Sequence, residues 1–217
     1  MKINLTLKKA IAEFLGVLMF LTSITASVGH TSLPQAALAT TLGLAILITA
    51  GVSGGHLNPA VSLFFYAKRQ LSLSELGAYI VAQLAGALAG TYIGSAIWGA
   101  SLQAAQAGDA PSASQFLGEL FATGGLVFLI GYLVTNKLGN IIPVAVGLWV
   151  FAAASFTQTG AQANPAVTFG LMYHGQGAVA SAWFILAQLA GAAIAMVFLI
   201  IFAAKVSKPA KKKAAKK

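Results

Sequence analysis

The chain contains one unit twice. Glu13 and Glu119 stand 106 residues apart, as do Asn58 and Asn164, and Ala82-Gln83-Leu84-Ala85-Gly86-Ala87 returns as Ala187-Gln188-Leu189-Ala190-Gly191-Ala192 at nearly the same period. Self-similarity at a fixed period sets the architecture before any motif does. Each copy holds three apolar stretches near the roughly 20 residues that cross a bilayer: 10–28, 36–52 and 76–98 in the first, 116–134, 141–156 and 178–204 in the second. An odd number of spans turns the second copy over, so the units enter the membrane from opposite faces, with any site at their interface near mid-bilayer. The expected fold class is an all-α membrane protein, an inverted repeat of six transmembrane helices. Its expected parts are a terminus 1–9, a first repeat 10–100, a linker 101–115 around Gly108, Asp109 and Pro111, a second repeat 116–204 and a basic tail 205–217.

Composition leaves lipid as the solvent, since 58% of the chain is hydrophobic and 8% charged. The first apolar run is long for a secretory signal and carries Glu13, so it reads as the first span. A net charge of +9 suggests nucleic acid in a soluble protein, but here placement decides. With the amino terminus in the cytoplasm, Lys2, Lys8, Lys9, Lys68, Arg69, Lys137, Lys205, Lys208, Lys211, Lys212, Lys213, Lys216 and Lys217 all fall inside. These are all 13 Lys and Arg, as the positive-inside rule expects. No nucleic acid is expected as partner. The Lys208 to Lys217 tail reads first as a solubilising segment and second as a contact for anionic lipid, worth only about 1 kcal/mol per lysine at the surface. With no cysteine and three scattered histidines, no metal or cofactor is expected. No nucleophile arrangement or paired intramembrane acid and base suggests an enzyme or an ion-coupled transporter.

The second span is followed by Ser53-Gly54-Gly55-His56-Leu57-Asn58-Pro59-Ala60-Val61-Ser62 and the fifth by Thr159-Gly160-Ala161-Gln162-Ala163-Asn164-Pro165-Ala166-Val167-Thr168. Asn is a favoured N-cap and Pro a favoured first helical residue. The helices they open, 59 to about 66 and 165 to about 173, are far too short to span. They reach only halfway. Irregular backbone at that depth must be buried in protein or line a water-filled cavity, so the two loops are expected to meet. Two convergent amino termini join two positive dipole ends, a barrier to cations and hydronium but not to neutral molecules. The loop stretches Gly54, Gly55, His56 and Leu57, and Gly160, Ala161, Gln162 and Ala163, are expected to present a row of carbonyl acceptors, with the Asn58 and Asn164 amides as donors between them. A water giving its lone pairs to both amides is turned away from its neighbours, which breaks a proton-conducting chain.

One Asn-Pro-Ala is a weak signal; two at matching positions of an inverted repeat are not. Through Gly54-Gly55-His56-Leu57-Asn58-Pro59-Ala60-Val61, Asn164-Pro165-Ala166, Glu13, Glu119, and the Ala-Gln pairs at Gln83 and Gln188, the chain from about 10 to 204 resembles the aquaporin, or major intrinsic protein, family. The resemblance implies an aquaporin-like bundle of six spans and two re-entrant half-helices, one pore per subunit and a homotetramer in the plasma membrane. It also implies that Glu13 and Glu119 brace the loops rather than relay protons, with Gln83 and Gln188 expected to satisfy loop carbonyls. His56 is expected to brace the first loop or line the pore with its backbone, and a pH sensor is the less favoured reading. Ser72-Leu73-Ser74-Glu75 reads as a capping box for the third span.

One family feature is missing. Water channels that this chain resembles carry an arginine just after the second Asn-Pro-Ala, where Val167 stands. By distance from the motifs, the other outer-filter positions are Leu38, one of Ala152 to Ala154 with Ala154 as the assignment, and Ala161. Such a ring has no donor and no large aromatic, and is expected to be wider and more apolar than a strict water filter. The leading expectation is a passive channel for water or other small neutral solutes. The alternatives are a channel mainly for glycerol, urea, ammonia or gases, and a non-conducting structural protein of the same fold.

Overall fold

The structure, a computed structural model, describes residues 4–202; Lys2, Lys205 and the tail lysines lie outside these residues. Eight α-helices follow one another: α1 (Leu5–Ser27), α2 (Pro34–Ser53), α3 (Pro59–Ala67), α4 (Leu73–Ile97), α5 (Ala113–Thr135), α6 (Ile142–Phe156), α7 (Pro165–Leu171) and α8 (Ala178–Phe202). Short 3₁₀ turns lead into α6 (Gly139–Ile141) and continue α7 (Met172–His174). Six helices, counting α6 with its leading turn, are long and apolar enough to cross a membrane by length and composition. The other two, α3 with 9 residues and α7 with 7, are not.

Local chemistry sets the helix ends. The Asn4 side chain accepts from Thr6 N–H, so α1 begins ahead of its apolar run and takes in Lys8 and Lys9. Lysine stems can lie along apolar surface while the ammonium stays at the interface, and Lys9 Nζ sits 2.7 Å from Glu75 Oε1 on α4. That helix opens on the Ser72–Glu75 capping box, and α5 opens on a second box, Ser112–Gln115. Each satisfies donors that a helix start would otherwise leave open.

The repeat governs the packing. α1 lies along α4 and α5 along α8, and the two units join chiefly through α2 and α6. Glycine makes the close approaches possible: a Cβ on Gly86 would overlap the Phe14 carbonyl, and one on Gly191 would overlap the Leu120 carbonyl. In lipid, where apolar burial drives little association, such backbone contact is a main source of helix affinity. Outward-facing Val81, Leu148 and Ile200 are about two-thirds exposed, as lipid-facing residues are.

The start of α1 shares one face of the bundle, here the terminal face, with the start of α4. On the opposite face, the linker between α4 and α5 docks onto the second repeat. Gln103 N–H donates to the Tyr173 carbonyl (2.9 Å), and Ala178 and Val179 donate to the carbonyls of Gln106 (2.7 Å) and Ala107 (2.9 Å). Gly108 and Gly177 meet so closely that a Cβ on Gly108 would lie 2.8 Å from Gly177 Cα.

Candidate functional site

The two loops meet where α3 and α7 begin. The Asn58 side-chain oxygen accepts from Ala60 N–H and the Asn164 oxygen from Ala166 N–H, both at 2.9 Å, with Pro59 and Pro165 as first helical residues. Their amide nitrogens cross over. Asn58 Nδ2 donates to the Ala163 carbonyl and Asn164 Nδ2 to the Leu57 carbonyl, each at 2.8 Å. Each asparagine thus caps its own half-helix with its oxygen and closes the opposite loop with its nitrogen. A primary amide has two N–H groups, so one on each asparagine is left over where the positive ends of two helices converge.

Each loop is gripped from behind by a glutamate with no exposed surface. Glu13 accepts from the Ser53 hydroxyl (2.6 Å), His56 N–H (3.0 Å), Leu57 N–H (2.6 Å) and Gln83 Nε2 (2.8 Å). Glu119 accepts from the Thr159 hydroxyl, Gln162 N–H (3.0 Å), Ala163 N–H (2.8 Å) and Gln188 Nε2 (2.7 Å). The grip holds Leu57 at φ 49° and Ala163 at φ 48°, left-handed conformations that cost a non-glycine residue about 1–3 kcal/mol. A planar trans peptide points its C=O opposite to its N–H. With the N–H groups of His56 and Leu57 turned to Glu13, the carbonyls of Gly55 and His56 face away from it, and those of Ala161 and Gln162 likewise face away from Glu119.

The glutamines correct the sequence reading. Among the described residues Gln83 and Gln188 donate to no loop carbonyl; Gln83 Nε2 serves Glu13 and the Ser62 hydroxyl (3.0 Å), and Gln188 Nε2 serves Glu119 and the Thr168 hydroxyl (2.8 Å). A carboxylate with two oxygens to saturate draws an amide N–H more strongly than a neutral carbonyl does. Ser53, Ser62, Thr159 and Thr168 were not singled out from the sequence, although Ser53 and Thr159, and Ser62 and Thr168, keep the period of 106 that marks the glutamates. Tyr79 adds a brace in the first repeat only, its hydroxyl donating to the Ser53 carbonyl at 2.6 Å.

Two cavities adjoin the loops. The smaller, about 40 Å³, runs along Gly54 to Asn58 and Gln162 to Asn164 on one wall, and along Phe20, Leu42, Ile46, Leu126, Ile130, Val146 and Val150 on the other. At about 10–15 Å³ for each water it has room for roughly three, with the loop acceptors along it. The larger, about 360 Å³, opens toward the linker face. Leu38, Ala154, Ala161 and Val167 all line it, with Gln35, Gln158, Gln162, Gln176 and His174, and among the described residues no Lys, Arg, Asp or Glu does. Of the three alanines considered in α6, Ala154 is the one on this cavity, and Ala152 is exposed. Burial first, and then His30, push the His174 imidazole below its usual pKa, which favours its neutral form. His56 stacks on Phe65 with ring centroids 4.3 Å apart, and its Nδ1 lies 3.2 Å from Ser62 Oγ.

Comparison with known proteins agrees with this arrangement. The family model described as "Major intrinsic protein" matches residues 1–170. The glycerol uptake facilitator protein-like 6 of Lactiplantibacillus plantarum is 31% identical over 87% of this chain and 95% of its own length. Aquaporin TIP1-2 of Zea mays is 32% identical over 91% and 87%. The solved aquaglyceroporin from Plasmodium falciparum superposes with a TM-score of 0.68 at 27% identity, covering 91% of this chain and 95% of that one. With six membrane-crossing helices and two half-helices that meet at crossed asparagines, the chain is a multi-pass integral membrane protein and a member of the major intrinsic protein family.

Proposed function

We propose that this protein is a passive channel for water and small uncharged solutes, not an enzyme, with its path running past the crossed Asn58 and Asn164 amides. The observation that carries this is the pairing of two half-helix starts whose asparagines, each with a spare amide N–H, line a cavity of about 40 Å³. In this reading the carbonyls of the 54–57 and 160–163 loops accept hydrogen bonds from the permeant. Pro59, Ala60, Pro165 and Ala166 hold the two half-helix starts in place. The repeats 10–100 and 116–204 act as two halves of one path, both termini and the basic tail lie in the cytoplasm, and the chain works as a homotetramer in the plasma membrane. Anionic lipid is the partner of the tail.

Leu38, Ala154, Ala161 and Val167 form the outer filter in this reading. Its apolar lining and the roughly 360 Å³ space around it favour solutes larger or less polar than water as well, and relatives named for glycerol agree with that. Cation exclusion then rests on the half-helix dipoles, since among the described residues no charged side chain stands at the filter. Liposomes carrying the purified protein are expected to shrink in hyperosmotic buffer faster than empty vesicles, and to lose the difference in the Asn58→Asp/Asn164→Asp variant. Equal rates for protein and empty vesicles, for water and for glycerol, would overturn the channel reading in favour of a structural role.

A further inference from the structure

The hydrogen bonds behind the first loop have a direction, and it ends on His56. Leu57 N–H donates to Glu13 Oε2, so that oxygen is an acceptor, and Gln83 can face it only with Nε2–H. The same Nε2 lies 3.0 Å from Ser62 Oγ, which therefore receives the second N–H. Ser62 makes no bond to a helix carbonyl among the described residues, so its own proton goes to His56 Nδ1, 3.2 Å away. The remaining ring proton is then on Nε2. That atom lies over Gly54, where a Cβ would come within 3.2 Å of it, and it has no partner among the described residues.

The second repeat repeats the polarity with different residues. Gln188 Nε2 donates to Thr168, and the Thr168 hydroxyl donates to the Gln162 carbonyl oxygen at 2.7 Å. Gln162 stands at the position equivalent to His56, and one of its two side-chain N–H groups goes to Gln176. In both repeats the glutamine spends its N–H groups on the glutamate and the hydroxyl and leaves its buried Oε1 without a partner. A buried orphan acceptor is costly, so the arrangement is fixed by the donors it delivers.

We infer that Ser62 and Gln83 are positioning residues that lock His56 as the Nε2–H tautomer, making its ring a side-chain hydrogen-bond donor to the permeant on the terminal-face side of the asparagines. Carbonyls alone would select for permeants that donate; a ring N–H beside them lets a permeant oxygen be held at the same time. The use of this donor rests on the channel reading, but the lock does not.

¹⁵N NMR of histidine-labelled protein in bilayers tests the lock directly, with His56→Gln identifying the His56 signals among those of three histidines. The expected spectrum has an unprotonated Nδ1 and a protonated Nε2. Ser62→Ala is expected to give a tautomer mixture and about a threefold fall in osmotic water permeability, and Ser62→Thr, the hydroxyl of the second repeat, to keep both. A wild-type His56 protonated on Nδ1 overturns the lock without any variant having to fold. A tautomer shift in Ser62→Ala with unchanged permeability overturns the donor's role, and a wild type that conducts neither water nor glycerol overturns that role together with the channel reading, leaving the spectrum to decide the lock.

Discussion

The two loops are alike behind and unlike in front. Behind them, Glu13 and Glu119 make matching sets of four hydrogen bonds, to a hydroxyl, two loop N–H groups and a glutamine. In front, the first loop borders only a cavity of about 40 Å³, with a histidine held against Phe65, whereas the second also borders one of about 360 Å³ lined by amides and apolar groups. The backbone grip tolerates little change because most of its donors, those of Ser53, Leu57, Gln83, Ala163 and Gln188, are buried and would be orphaned. The front carries no such debt, so side chains there can diverge as long as the grip survives.

If the grip is shared, breaking it on either side should do equal harm. Glu13→Leu and Glu119→Leu are each expected to cost several kcal/mol, about 1–3 for each orphaned buried donor. Thermal unfolding in detergent reads the loss, and a large inequality between the two variants would break the symmetry argued here. Next come the close helix contacts. Gly86→Ala and Gly191→Ala each press a methyl into a facing carbonyl, with an expected cost of about 1–3 kcal/mol from overpacking by the same assay.

The difference in front is sharpened by Val167→Arg. A cation placed in the larger cavity is expected to slow glycerol entry into liposomes about tenfold and water by less; equal slowing of both would mean the cavity does not select by size. The smallest effects belong to the helix starts. Ser72→Ala and Ser112→Ala each remove one capping box, for about 1 kcal/mol, with the loss at Ser72 slightly larger if Glu75 also loses its hold on Lys9.

Much of the shared part was legible in the sequence, because a repeat, an apolar run and an Asn-Pro start are all local patterns. The meeting of Asn58 with Asn164 followed from the shortness of the helices behind them. What the glutamines touch was not legible: Gln83 lies 70 residues from Glu13 and 21 from Ser62, and which of several buried acceptors wins an amide depends on geometry that only packing sets. The hydroxyls at 53, 62, 159 and 168 were within reach, had the 106-residue period been applied to every polar residue rather than to the charged and amide ones. The front of the site was least legible. Its character comes from what is small or absent at Ala154, Ala161 and Val167, and empty space leaves no motif.

The crossed asparagines also bear on how the protein is made. The last carbonyl of the first loop, at Leu57, is capped by a side chain 107 residues further on. At about 5–20 residues per second of synthesis, the nascent chain waits roughly 5–20 s for that partner. During that interval the first half-helix has its own cap but no opposing seat, so the first repeat, α1 to α4, lies in the bilayer as an unfinished half whose loop must be sheltered by lipid headgroups, by water or by the insertion machinery. Assembly of the channel's centre is therefore a late, all-at-once event, in which each half completes the other.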